Sequence, residues 1–373
     1  MRLFDRFVRR GSFVSHSDIC IVSMENVKRV PYIAQYVKCL GGKDFDFLYW
    51  DRDCTDDQVG QKNSFPYRHK VRHGEPTLAQ KAEKLTGYIG FKRYAGKILK
   101  ENDYKRVVCL TGNAAVLVSG VLLDKYDGRF IIDIRDYWHE DNKKYHNTER
   151  RLIEASPCPV ISSPAYKEFL GDYDFRIMHN SQILTDEEKK IAECGHERPF
   201  RIICVGAAKN LDYDKRVIDC FANDERFALA FRGRGYDQLC GYIKKSGIAN
   251  VEATGEFDFS QTLQQYADAD MVLSMYGNGS PYWDYALANK LYFAAQLGLP
   301  ILVCEKTAMA DMTEGYGLGV AFDPADRDVK DRIAKLFEEE QVDKRREGCR
   351  RFLDRVEADN MRAFADIKDF FDC

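Results

Sequence analysis

The stretch Asp133-Ile134-Arg135-Asp136-Tyr137-Trp138-His139-Glu140 crowds carboxylates, a guanidinium, an imidazole and two aromatic rings behind one apolar run. Carboxylates accept hydrogen bonds from hydroxyl groups, and rings stack on sugar faces. The mixture therefore suits a polyhydroxylated ligand. Asp136 and His139 lie past the end of the run and are the candidates for catalysis or for orienting such a ligand. Asp133 and Arg135 have a plainer alternative, an ion pair bracing the end of a strand.

A second set of residues suits phosphate. Val205-Gly206-Ala207-Ala208-Lys209-Asn210 closes another apolar run, and Lys215 and Arg216 follow. Gly206, Lys209 and Arg216 are candidates to neutralise a diphosphate, although Lys215 and Arg216 would serve equally as a solvated helix face. Met275-Tyr276-Gly277-Asn278-Gly279-Ser280-Pro281 leads into a helix expected to start near Trp283–Ala286. A glycine-containing loop before a helix offers free N–H groups and the positive end of the helix dipole. Gly277, Asn278, Gly279 and Ser280 are the candidates there, with Asn289 and Lys290 one turn further on. Lys290 opens an otherwise apolar run, which makes a directed role as reasonable as a solvated one. Phe231-Arg232-Gly233-Arg234-Gly235 has G-x-G without a third glycine, too little for a dinucleotide fingerprint, and places Arg232 in a loop beside a nucleotide. Asp51-Arg52-Asp53 would suit a metal, but strand-end turns favour Asp anyway, so it is read as structural and no metal site is assigned. No P-loop, G-x-S-x-G or H-E-x-x-H occurs, which lowers the corresponding NTPases, hydrolases and zincins.

These loops need elements to hold them. Short apolar runs recur at Asp18–Ser23, Phe45–Trp50, Arg106–Leu110, Phe130–Asp133 and Pro159–Ser162. They recur again at Arg201–Gly206, Phe227–Phe231, Asn250–Thr254, Met271–Ser274, Pro300–Cys304 and Gly319–Phe322. Helical stretches fit 31–40, 114–126, 213–223, 236–246, 260–267 and 286–297. Continuous apolar strands between helices indicate parallel sheets covered on both faces. The fold class is therefore α/β: two tandem doubly wound, Rossmann-like domains facing a cleft. The first spans 1–180, a polar linker 181–199, and the second 200–355. A charged helical stretch closes the chain, and its part from 356 to 373 is expected to cross back to the first domain.

Length agrees, since 373 residues suit two domains. The composition, 45% hydrophobic and 31% charged, excludes bulk disorder. No run reaches the roughly 18 apolar residues of a membrane span, and the start lacks the features of a secretory signal. The 12 cysteines are scattered without zinc spacing and read as reduced thiols. The net charge of −3 hides an asymmetry: residues 1–106 hold 21 Lys+Arg against 13 Asp+Glu. The stretch 62–106 is the most basic, with 12 against 4. Leu3, Phe4, Phe7 and Val8 share a helical face ringed by Arg2, Arg6, Arg9 and Arg10, the pattern of a helix lying in a membrane interface. Such a surface would meet phospholipid, a lipid-linked phosphate or nucleic acid. Nucleic acid ranks last, because no recognition motif accompanies the charge and the second half is acidic.

Several segments resemble the GT-B glycosyltransferases, in the large retaining group called family 4. Asp133-x-Arg135-Asp136-x-Trp138 resembles the D-x-R-D-x-W segment of bacterial surface-polysaccharide members, with His139 in place of the usual Pro and Glu140 matching. Ser162-Ser163-Pro164-Ala165 and Asn180 resemble the end of the first domain and the crossover. Tyr266-Ala267-Asp268-Ala269-Asp270, Asn289-Lys290-Leu291-Tyr292-Phe293 and Gly298-Leu299-Pro300 resemble second-domain stretches. Two departures stand out. Tyr285 and Phe293 occupy the positions of two glutamates, the second of which normally holds the nucleotide ribose. Ala207 stands where an Arg is expected, and Lys209 is its substitute.

The resemblance implies a metal-independent enzyme without a cofactor, transferring a hexose-like sugar from a nucleotide-sugar donor on the second domain. The acceptor would be a lipid-linked or glycan intermediate in cell-surface polysaccharide or capsule synthesis. Retention is the expected outcome, and the expected place is the cytoplasm, peripheral on the inner membrane face. Two alternatives stay open: a nucleotide-sugar epimerase of the same architecture, and a catalytically weak nucleotide-sugar-binding protein.

Overall fold

A computed structural model gives the protein's structure and describes residues 15–71, 78–192 and 198–373. The amphipathic start at Leu3, Phe4, Phe7 and Val8 lies outside these residues, as does 193–197 of the expected linker.

The first sheet has seven parallel strands: β1 (Ile19–Ser23), β2 (Phe45–Asp51), β3 (Asn63–Arg68), β4 (Arg106–Leu110), β5 (Phe130–Ile134), β6 (Val160–Ile161) and β7 (Arg176–Ile177). Their order is β3-β2-β1-β4-β5-β6-β7. The second sheet has six: β8 (Phe200–Val205), β9 (Phe227–Arg232), β10 (Val251–Thr254), β11 (Met271–Ser274), β12 (Ile301–Cys304) and β13 (Gly319–Phe322). All its pairs are parallel, in the order β10-β9-β8-β11-β12-β13. β1, β2, β5, β11 and β12 are buried at every residue, as expected of strands with helices on both faces. In each sheet the order reverses once, between β1 and β4 and between β8 and β11. Loops leaving the carboxyl ends at these reversals open a crevice, which is where ligands bind in such folds.

The structure differs from the expectation in several places, and the helices Lys143–Ala155 and Ala308–Tyr316 and the strand Arg176–Ile177 were not expected. β3 and the helix Leu78–Glu101 fill a stretch that had no assigned element. The helix expected over 114–126 breaks at Val118 into Gly112–Leu117 and Ser119–Lys125. Residues 260–267 form two 3-10 turns, Phe259–Gln261 and Leu263–Tyr266. The helix expected from 286 starts at Asn289 and ends at Leu297.

One long helix, Glu339–Asp372, packs on both sheets. Near its start Arg345 donates to the Leu336 carbonyl at 2.8 Å and Phe352 stacks on Tyr292 at 5.8 Å. Near its end Ala363, Ile367, Phe370 and Phe371 join the core under β1, β2 and β4. Where the chain passes between sheets, His179 is buried, its Nδ1 2.8 Å from the Tyr292 hydroxyl. Among the described residues every cysteine is a free thiol, and no helix is long and apolar enough to cross a membrane.

Candidate functional site

The second-domain wall is built where the loops after β8 and β9 touch. The Gly206 N–H donates to the Arg232 carbonyl and the Ala208 N–H to the Arg234 carbonyl, both at 2.9 Å. The contact needs glycine on both sides. Gly206 has φ +128° and Gly233 φ +136°, and a Cβ on Gly233 would stand 1.9 Å from the Gly206 carbonyl oxygen. The Lys290 ammonium lies under the same turn, 3.8 Å from where a Gly206 Cβ would be.

Lys290 is buried, donates to the Tyr276 hydroxyl and lies 4.8 Å from the centre of that ring. Burial works against its charge, yet Tyr276, Cys204 and Tyr266 around it leave it held above the usual lysine range. Asp214, on the helix Leu211–Phe221, is buried nearby with Oδ2 unpartnered. Burial pushes its carboxyl up to about 7, against the pull of Lys290.

Above this turn a cavity of about 620 Å³ opens, lined among others by Lys209, Asn210, Asp212, Lys215, Arg234 and Gln238. Lys215 is paired with Asp212 at 2.9 Å. The side chains of Lys209 and Arg234 have no hydrogen-bond or ion-pair partner among the described residues. Lys209 is exposed. Desolvation pushes its pKa down, Lys290 and Arg234 push the same way, and Asp136 pulls back. The influence of Asp136 crosses the cleft from the other domain.

Asp136 follows β5. Burial pushes its carboxyl up to about 6, with Lys209 and then Arg135 drawing it down. Its charge also reaches Tyr282 of the second domain. Asp133 and Arg135 beside it are bracing groups: Arg135 Nε donates to both Asp133 oxygens at 2.8 and 3.0 Å. Its Nη1 holds the Met178 carbonyl and Asn180 Oδ1, tying β5 to the crossover. His139 is exposed, edge-on to Tyr145 at 5.6 Å, and makes no hydrogen bond or ring contact with the second domain among the described residues.

Behind this loop lies a buried polar group that the sequence reading missed. Glu149, on the helix Lys143–Ala155, is fully buried with both oxygens unpartnered, and its carboxyl is pushed up to about 9 by burial and by Glu140. Glu140 Oε1, the Tyr145 hydroxyl and Trp138 Nε1 are also buried without partners.

Several expected site residues are engaged elsewhere. Arg232 is held by Asp268 through both its Nη1 and its Nη2, at 2.7 and 2.9 Å, and by the Gln265 carbonyl. Gly233 then turns the chain, so that Arg234, not Arg232, lines the cavity. Arg216 pairs with Asp323 at 2.9 Å and lies on the Tyr213 ring. The 277–280 loop does not present a free helix end. The Gly277 N–H meets Cys304 Sγ, the Gly279 N–H donates to Asp284 at 3.0 Å, and Asn278 donates to the Glu305 carbonyl. Ser280 starts only the short turn Pro281–Asp284. The helix that does begin beside Gly206 carries Asn289, exposed, and Lys290 in its first turn, and its N-cap, Ala288, offers no side-chain cap.

Tyr285 packs on Phe169 of the first domain at 5.3 Å and Phe293 on Tyr266 at 6.0 Å, so both positions are apolar contacts. Asp51 is buried and accepts from Asn26 and the Thr55 N–H, while Asp53 pairs with Lys28, both structural roles.

No protein-family model matches the chain, and no curated protein matches it. Solved structures do. A sucrose-phosphate synthase from Thermosynechococcus elongatus superposes with a TM-score of 0.65 at 12% identity, covering 93% of this chain and 96% of that one. HepE from Anabaena, solved in complex with UDP-glucose, gives 0.64 at 12%, covering 95% and 100%. The lipopolysaccharide outer core galactosyltransferase WaaB gives 0.63 at 15%, covering 94% and 99%. At these identities the likeness is one of fold, and the fold is GT-B: two parallel α/β domains across a cleft.

Proposed function

We propose that the protein is a glycosyltransferase that moves a sugar from a nucleotide-sugar donor on the second domain to a lipid-linked or glycan acceptor on the first. The observation that carries this reading is the pair of unpartnered cations, Lys209 and Arg234, at one cavity, with Asp136 opposite. A nucleotide sugar already has a good leaving group, so the protein's task is to stabilise the departing diphosphate and position the acceptor hydroxyl. Lys209, Arg234 and Lys290, with the first turn of Asn289–Leu297, supply positive potential where that charge grows. In the retaining course the bond from the anomeric carbon to the diphosphate breaks and the bond to the acceptor oxygen forms on the same face. The acceptor proton passes to the departing phosphate. Asp136 orients the sugar or the acceptor and needs no proton-transfer role.

Solved neighbours that hold UDP and UDP-glucose support a uridine nucleotide as the first donor to try. The setting we propose is cell-surface polysaccharide synthesis at the inner membrane face, with a hexose donor and no required metal, so turnover survives EDTA. The aromatic packing of Phe293 favours a second reading, a protein that binds the donor but turns it over slowly. A thermal-shift screen against UDP-, GDP-, CMP- and dTDP-sugars tests the proposal. A ligand at about 100 times its dissociation constant adds roughly 2.7 kcal/mol. No shift with any donor contradicts both readings, and a shift without sugar transfer leaves the second.

A further inference from the structure

The helix Leu78–Glu101 lies on β2 and β3 with a fixed inner face. Phe91, Ala95 and Leu99 are fully buried. Gly87 and Gly90 press against the sheet so closely that added Cβ atoms would stand 2.3 Å from Trp50 and 1.8 Å from the Tyr67 hydroxyl. The helix therefore cannot roll to hide its outer face. That face holds two large aliphatic side chains one turn apart, Leu85 at 60% exposure and Ile89 at 45%. At about 100° per residue, Lys81, Lys92, Arg93 and Lys100 flank them within an arc of about 120°. All four are exposed and none has an ion-pair partner among the described residues. The acids of the helix, Glu83 and Glu101, lie off this arc.

We propose that this outer face docks the protein on an anionic lipid bilayer. The inference rests on the reading above only in naming where a lipid-linked acceptor would be met. Four cations attract anionic headgroups, and two aliphatic side chains between them enter the boundary below the headgroups. A nucleic acid would satisfy the cations but gives Leu85 and Ile89 nothing to enter. The face also adjoins the cleft: Tyr88, next to Ile89, accepts from Asn113 just past the carboxyl end of β4 at 3.5 Å. A bilayer on this face would lie beside the first-domain wall.

Sedimentation of the full chain with vesicles tests the assignment. The vesicles are phosphatidylcholine alone, or phosphatidylcholine with about one-third phosphatidylglycerol. The expected result is binding to the anionic vesicles only, weakened at about 0.5 M NaCl. Each charge removed costs about fivefold. A Lys81→Gln, Lys92→Gln, Arg93→Gln, Lys100→Gln variant should thus bind at least about 100-fold more weakly. Leu85→Ser with Ile89→Ser should lose about tenfold or more. A control removes the same charge from the helix Glu339–Asp372 through Lys344→Gln, Arg346→Gln, Arg350→Gln and Arg351→Gln, and should stay within about threefold. An equal loss in the control overturns the proposal, as does full binding by the Leu85/Ile89 variant, equal binding to neutral vesicles, or no binding. UDP-glucose thermal shifts on the same variants verify folding. They also separate the two ideas, because vesicle binding without any nucleotide response sinks the donor reading and leaves the docking face standing.

Discussion

The second-domain wall of the cleft carries Lys209, Lys215, Arg234 and Lys290 around a backbone contact between two glycines, whereas the first-domain wall carries Asp136 among aromatic rings, with Glu140 and Glu149 buried behind it. The sheets behind them share one strand order over six strands, to which the first sheet adds β7. The difference lies in what leaves their carboxyl ends. Where the chain turns through Gly206 and Gly233, backbone approaches backbone and the free charge is positive, which suits a diphosphate. Where it leaves β5 through Asp133–Glu140, carboxyl groups and rings gather, which suits hydroxyl groups. On the proposed function, one architecture thus offers one wall to phosphate and the other to sugar.

The largest effect should come from breaking the glycine contact. Gly233→Ala puts a methyl group against the Gly206 carbonyl and should cost about 3 kcal/mol or more of stability, read from a denaturant midpoint. Next, Lys209→Ala and Arg234→Ala should each weaken UDP binding by about 1.5–3 kcal/mol. The buried carboxyl behind the first-domain wall should answer to pH. Glu149 in the fold holds its proton more tightly than in the unfolded chain, so its stabilising contribution is full below pH 4.5 and is lost as pH rises towards about 9. Glu149→Gln should therefore raise stability at pH 8 by about 1–2 kcal/mol and flatten the pH profile, as followed by thermal melts. Asp136→Asn should cut turnover about tenfold, roughly 1.4 kcal/mol, with UDP affinity unchanged. If affinity falls as turnover does, Asp136 belongs to the donor wall and the contrast fails. Smallest of all, Arg216→Ala should shift UDP affinity by less than about 0.5 kcal/mol, because its partner is Asp323.

Most strands were legible because buried parallel strands are continuous apolar runs. β3 was not: Asn63-Ser64-Phe65-Pro66-Tyr67-Arg68 contains a proline and is an edge strand, exposed or only half-buried along its length. The helix Leu78–Glu101 hid because glycines take the place of apolar side chains where it meets the sheet, at Gly87 and Gly90. At the site, Gly206, Lys209 and Lys290 could be read from their places after strand ends. Arg232 and Arg234 could not be told apart, since the turn at Gly233 decides which one Asp268 takes. That Asp268 sits in the Tyr-Ala-Asp-Ala-Asp segment was visible, but its partner was not. Glu149 left no sequence signal, being one charged residue on a charged helix, and only tertiary packing buries it.

The division between the walls is tested most directly by calorimetric titration of UDP into the wild-type chain and into the Lys209→Ala, Arg234→Ala double variant at low salt. The account predicts measurable binding to the wild type and a loss of about 3 kcal/mol or more in the double variant, with both proteins melting at the same temperature. Equal UDP affinity in the two proteins would contradict it, because the phosphate wall would then lie elsewhere.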